Sequence, residues 1–253
     1  MDNHKIESDW PKSKEEIWDE VFERLDEQED KKRFLSKIPV WGYAASLLIP
    51  FLFVCHFYTV TEETKKGEHS VVRLPDRSTV TMNAESRLSY KPLKWLISRQ
   101  VKLAGEAFFE VNPGRSFSVQ SGQLEVNVLG TTFNVYARFG TYRVTCLSGR
   151  VEVHAKKKPV LLNPNMQAVF NENMNVNSDV AMMTATGWMQ GKFVFTDTPL
   201  KEVIAEVERQ YNITVTSDYQ PNHLYTGNFS KTEKPEDVLK VIGKPFDITF
   251  SIK

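Results

Sequence analysis

Residues 117–137 read FSVQSGQLEVNVLGTTFNVYA. Phe117 and Val119, then Leu124, Val126 and Val128, then Phe133 and Val135 put an apolar side chain at every second position, with Gly122 and Gly130 between the runs. A period of two sends alternate side chains to opposite faces of an extended chain, so the stretch predicts short β-strands joined by turns. The pattern spreads in both directions. Upstream, Val72-Arg73-Leu74, Pro75-Asp76-Arg77 and Ser78-Thr79-Val80-Thr81-Met82 read as strand, turn and strand, and residues 100–103 and 107–111 flank a kink at Gly105-Glu106. Downstream, Tyr142, Val144 and Cys146, then Val151 and Val153, keep the period, punctuated by Gly140 and Gly149. Many short strands at near-regular spacing predict an all-β unit over roughly 62–175.

Further along, the period changes. Lys192-Phe193-Val194-Phe195 reads as a strand, and Thr198-Pro199 opens a helix with Leu200, Val203, Ile204, Val207 and Tyr211 on one face. Pro199 suits the first helical position, where its missing N–H costs nothing. A strand at 213–215 follows. The order then repeats, with a strand at 224–229, a helix carrying Val238, Leu239, Val241 and Ile242 and closed by Gly243, and a strand at 248–252. This predicts a duplicated β-α-β module.

Before the all-β unit, residues 40–60 read VWGYAASLLIPFLFVCHFYTV, 21 residues without Asp, Glu, Lys or Arg. About 20 apolar residues span a ~30 Å hydrocarbon core, so the run predicts a single transmembrane helix kinked at Pro50. Trp41, Tyr43 and Tyr58 suit the headgroup regions. Residues 1–37, ahead of the anchor, are too long for the leading region of a cleaved signal peptide, which predicts an uncleaved anchor. Lys31, Lys32, Arg33 and Lys37 on the N-terminal flank, against Lys65 and Lys66 beyond, place the N-terminus inside the cell. Residues 1–30 hold 12 acidic and 4 basic side chains. Within them, Ser13 and Glu16 have capping-box spacing, and Ile17, Trp18, Val21, Phe22 and Leu25 form one apolar stripe on an acidic helix. The stripe reads either as a frayed helix beside the membrane or as a docking helix for a cytoplasmic partner.

The chain carries 32 basic and 32 acidic residues. No basic stripe points to direct nucleic-acid binding. Cys55 and Cys146 are isolated, forming neither a zinc site nor a disulfide framework. The five histidines are scattered, His56 within the apolar run included, and no glycine-rich phosphate loop, HExxH, CxxC or GxSxG is present. No cofactor, metal or multiple-turnover enzyme is expected.

From Leu74-Pro75-Asp76 onward the sequence resembles the FecR family of membrane-bound sigma-factor regulators. The resemblance runs through VVRLPDRSTVTMNAESRLSY (71–90), VKLAGEAFFEV (101–111), 117–137 and LSGRVEV (147–153). It resumes in the C-terminal companion domain at WMQGKFVFTDTPLKEVIAEVERQYN (188–212) and TGNFSKTEKPEDVLKVI (226–242). It implies a transmembrane anti-sigma factor. Such a protein relays a signal from the signalling domain of an outer-membrane TonB-dependent receptor to an extracytoplasmic-function sigma factor, held until regulatory proteases act. The sigma factor would bind Ile17, Trp18, Val21, Phe22 and Leu25. The position after Pro-Asp, usually glycine in the family, is Arg77, and a left-handed residue there would cost ~1–2 kcal/mol, which argues for a different turn. The part before the anchor is short for an anti-sigma domain, which points toward a cofactor-like role for the sigma factor as well as an inhibitory one. Some relatives split their own chain at a Gly-Thr bond, and Leu129-Gly130-Thr131 resembles that site. The other reading of Gly130 and Thr131 is a bend between two strands.

The expected architecture is therefore a cytoplasmic helix region (1–37) and a transmembrane helix in the inner membrane (38–60). An all-β periplasmic domain (61–178) and a small α+β domain of duplicated β-α-β order (187–253) follow. The competing functional class is a membrane-tethered periplasmic protein-binding module without a transcriptional role.

Overall fold

The structure, a computed structural model, describes residues 12–36, 40–155, 159–171, 174–177, 180, 182–217 and 223–253. It divides into two compact units, residues 1–55 and 56–253. The first holds helix α1 (Lys14–Ser36) and most of α2 (Val40–Phe57). The second opens with strands β1 (Val60–Glu63), β2 (Ser70–Arg73), β3 (Thr79–Met82), β4 (Arg87–Tyr90) and β5 (Arg99–Glu110). Next come β6 (Phe117–Ser121), β7 (Leu124–Val128), β8 (Thr132–Arg138), β9 (Thr141–Ser148), β10 (Val151–Ala155), β11 (Val160–Leu162), β12 (Gln167–Phe170) and β13 (Met174–Asn177). The C-terminal part contains α3 (Met182–Thr186), β14 (Lys192–Pro199), α4 (Leu200–Tyr211), β15 (Val215–Thr216), β16 (Leu224–Ser230), α5 (Pro235–Gly243) and β17 (Ser251–Ile252).

The membrane expectation is overturned. Helix α2 has 18 residues, with Pro50 inside it. At 1.5 Å per residue that is about 27 Å, short of the ~30 Å core. The end of the uncharged run is not helical, because Val60 opens β1 and pairs with Tyr90. Among the described residues, no helix is long and apolar enough to cross a membrane. The single-pass inner-membrane placement, with its cytoplasmic N-terminus and periplasmic domains, falls with it, and the expected fold class is corrected to a mostly β chain with short helices. The side chains of Lys31, Lys32, Arg33, Lys37, Trp41, Tyr43, Cys55 and His56 lie outside what is described.

Strands β1–β13 form one sheet that folds over at β5. The first half of β5 pairs with β4 (Tyr90↔Val101) and, in parallel, with β6 (Arg99↔Phe117). Its second half pairs with β3 (Val80↔Phe109) and β8 (Phe109↔Phe133). The corner is Gly105, at φ 108°, where a Cβ would sit 2.8 Å from Ser86 Cα. Only glycine meets both demands. One layer thus runs β1-β4-β5-β6-β7-β10-β11 and the other β2-β3-β5-β8-β9-β12-β13. Their inward side chains share one core, in which Phe109 stacks on Phe133 at 4.9 Å and meets Phe117 of the other layer edge-on at 6.3 Å. The 74–78 turn is held by Leu74 and Ser78 backbone bonds and by Asp76, which accepts from Ser78 and pairs with buried Arg99 at 2.8 Å. Arg77 adopts φ 67°, so this turn is left-handed without glycine, contrary to the expectation of a different geometry.

The C-terminal elements do follow the order strand, helix, strand twice, but they do not join in one sheet. Strand β14 pairs antiparallel with β16, and β15 with β17, as two separate ribbons. Pro199 caps α4 from outside rather than standing at its first helical position. Leu200, Val203, Ile204 and Val207 bury one face of α4 against Phe193, Phe229, Leu239 and Ile242.

Candidate functional site

The N-terminal stripe is the first candidate. Ser13 N–H donates to Glu16 (2.8 Å) and Glu16 N–H to Ser13 Oγ (3.2 Å), a reciprocal cap that fixes the start of α1. Glu20 pairs with Lys12 (2.6 Å) and Arg24 (2.9 Å), and the Lys12 ammonium first of all holds its carboxyl below the usual range. Trp18 (54%), Phe22 (58%) and Leu25 (51%) are open to solvent, as is Val21, while Ile17 is half-buried. The Trp18 and Phe22 rings lie 5.9 Å apart. Rigid aromatic area of this kind, set on an acidic helix, is what a partner with an apolar groove and basic rim would engage.

Gly130 and Thr131 lie in the link between β7 and β8. Thr131 is buried, and its hydroxyl donates to the Arg150 carbonyl at 3.0 Å. A Cβ on Gly130 would come within 2.6 Å of Pro113 Cα, and one on Gly149 within 2.8 Å of Thr131 Oγ1. Close packing from two chain segments explains both glycines, and the hydroxyl faces the β9–β10 turn.

A third feature was not found from sequence. Between the β5-β8 layer and α4 runs a chain of buried polar side chains. Trp188 Nε1 donates to Asn134 Oδ1 (3.4 Å), and Asn134 and Asn83 donate to the two oxygens of Glu106 (2.9 and 2.8 Å). Gln210 Nε2 bridges Asn83 Oδ1 and Glu206 Oε1, each at 2.8 Å, and Arg209 donates to Glu206 and to Glu85. His69 meets Gln210 Oε1 at 3.2 Å and the Trp188 ring edge-on. Burial, reinforced by the charge of Glu206, raises the Glu106 pKa. Burial also works to raise Glu206, but Arg209, Arg138 and the Gln210 bond prevail and hold it low. The available signal was the polar residue set among apolar strand neighbours, Glu106 in GEAFFEV and Asn134 in TFNVYA, which a period-two reading passes over.

Beside this network a cleft of about 590 Å³ separates the outer face of β8, β9 and β12 from β14 and the start of α4. Arg143 lies over the Tyr136 ring at 3.7 Å and 4.0 Å from Glu202. Burial pushes the Tyr136 phenol up to about 12. Among the described residues no group of His, Cys, Asp and Glu is placed to hold a metal ion.

No curated protein matches the chain. Two crystal structures of a candidate anti-sigma factor from Parabacteroides distasonis ATCC 8503, at 2.50 and 1.65 Å resolution, are similar to it, each with 28% identity. Their TM-scores are 0.70 and 0.69, covering 78% and 77% of this chain and 100% and 99% of theirs. The model described as FecR protein matches residues 60–152, and the one described as FecR, C-terminal, residues 192–253. Matched in order by both models over more than half of its residues, the chain belongs to the FecR family.

Proposed function

We propose that this protein regulates a sigma factor. The observation that carries the reading is the similarity, over the full length of the solved protein, to a candidate anti-sigma factor. Its contact with the sigma factor is the α1 stripe, Ile17, Trp18, Val21, Phe22 and Leu25, whose exposed aromatics suit burial in a partner. The finer reading is a relay. The β-rich unit receives the signalling domain of an outer-membrane TonB-dependent receptor, and α1 releases or assists an extracytoplasmic-function sigma factor once regulatory proteases act.

Capture of such a sigma factor by the full chain, compared with a Trp18→Ala/Phe22→Ala double variant, tests the first step. Buried aromatic anchors commonly cost ~2 kcal/mol or more each on truncation, so capture by the variant should be nearly abolished. The acidic remainder of α1 makes the association salt-sensitive. Equal capture by both proteins would remove α1 from the interface. Failure of a purified receptor signalling domain to bind the full chain would remove the relay while leaving the sigma-factor contact standing.

A further inference from the structure

Strand β14 is hydrogen-bonded to one neighbour, β16, and its other edge has no strand partner among the described residues. Every residue from Lys192 to Pro199 lines the cleft. The register of β14 with β16 shifts between Phe195 and Thr198, and the Lys192 carbonyl packs against Gly187, so the stretch of edge that opens on the cleft with its backbone N–H and C=O groups begins at Val194. The opposite wall is not apolar. It is built of hydroxyls, amides and a guanidinium, including Thr141, Arg143, Thr145 and Gln167.

Two polar side chains at the cleft are more than nine-tenths buried and have no hydrogen bond among the described residues. Glu202 is 8% exposed, with Arg143 at 4.0 Å its ion-pair partner. Tyr136 is 6% exposed, and its hydroxyl has no polar partner. Neither group is among the fully enclosed unbonded side-chain atoms, so their polar ends open to the cleft, where an incoming donor or acceptor would meet them. Of the acidic residues lining the cleft, Glu106 and Glu206 are engaged in the interface network. Glu202 and Asp197 remain, and the latter touches Thr226 Oγ1 at 3.2 Å.

We propose that this cleft receives an extended polypeptide segment from another protein, which adds as a strand to the free edge of β14 and sets a lysine or arginine side chain against Glu202 and Asp197. Main-chain pairing gives such binding its affinity and the side-chain pocket its selectivity. The inference does not depend on the sigma-factor reading, because α1 takes no part in it.

The test uses the full chain and two pools of octapeptides, random except for a central residue fixed as lysine or as glutamate. Members of the lysine pool should be captured and the glutamate pool should not. A captured peptide should slow hydrogen exchange of amides within 192–199, and the same peptide with proline at its centre-adjacent positions should lose binding. Glu202→Gln and, independently, the exposed Asp197→Asn should each weaken capture about tenfold or less, as loss of one partly screened charge partner does. Asp197→Asn keeps a residue tolerant of the left-handed backbone at φ 46°, so it reports even where Glu202→Gln fails to fold. Absence of enrichment in the lysine pool, equal capture of both pools, or binding without new protection in 192–199 would each overturn the proposal.

Discussion

Replacing Gln210 by alanine tests whether the polar chain between the β-layer and α4 stabilises the 56–253 unit. Gln210 is fully buried. Truncation removes two donations from Nε2 and the contact with His69 at 3.2 Å. Asn83 Oδ1 is not orphaned, because Ala84 N–H still donates to it at 2.7 Å, so that loss is about 1 kcal/mol. Glu206 Oε1 loses the Gln210 bond while staying buried beside Arg209, and a bond to a charged acceptor contributes about 2 kcal/mol. The part-buried His69 adds about 0.5 kcal/mol. The expected destabilisation is about 3–4 kcal/mol, less if a water enters the gap and restores some bonds. Urea unfolding of the full chain, followed through tryptophan fluorescence, reads the midpoint shift at constant slope. Gln210→Met, which keeps volume and removes the amide, should cost nearly as much. A loss below 1 kcal/mol for both variants would refute the reasoning, since the network would then contribute no more than a surface contact.

Three further outcomes are expected. Glu106 has a raised folded-state pKa, so its favourable contribution is complete below its unfolded value of about 4.5 and is lost as pH rises through the folded value. Glu106→Gln should therefore gain stability relative to the parent as pH rises from about 4.5 to the folded value and hold that gain above it, and a pH-independent difference between the two would contradict the assignment. Arg77→Gly relieves the left-handed strain at φ 67° but loosens the unfolded chain, so a net gain of about 0.5–1 kcal/mol in thermal unfolding is expected, and a loss would contradict it. With the Thr131 hydroxyl bonded to the Arg150 carbonyl, the purified chain should keep its intact mass on prolonged incubation. Cleavage between Gly130 and Thr131 that Thr131→Ala abolishes would show instead that the hydroxyl attacks the preceding carbonyl, forming an ester that water opens.

The β-layers were legible because their inward positions alternate strictly. In β6, β7 and β10 the buried residues are the odd or even set that the sequence shows, such as Leu124, Val126 and Val128. The apolar face of α4 was legible for the same reason at helical spacing. What could not be read was where layers meet. Nothing in GEAFFEV indicates that Glu106 faces α4, because the partners that satisfy it, Asn83 and Asn134, are 23 and 28 residues away. The run at 40–60 misled because its composition counts 21 uncharged residues, whereas pairing of Val60 with Tyr90 draws the last of them into a strand. Gly130 was legible as a bend, but its tight approach to Pro113 is a tertiary fact.

Because β5 contributes its first half to one layer and its second half to the other, neither layer can complete its ladder without it. The return at 111–116 brings the chain back to pair in parallel with the strand it has just left. Such non-local closure raises contact order and slows folding, since loop entropy is lost before the pairings compensate. Opening β5 exposes the edges of both layers together, so protease sensitivity of this part of the chain should switch on in one concerted step, with partially nicked forms scarce.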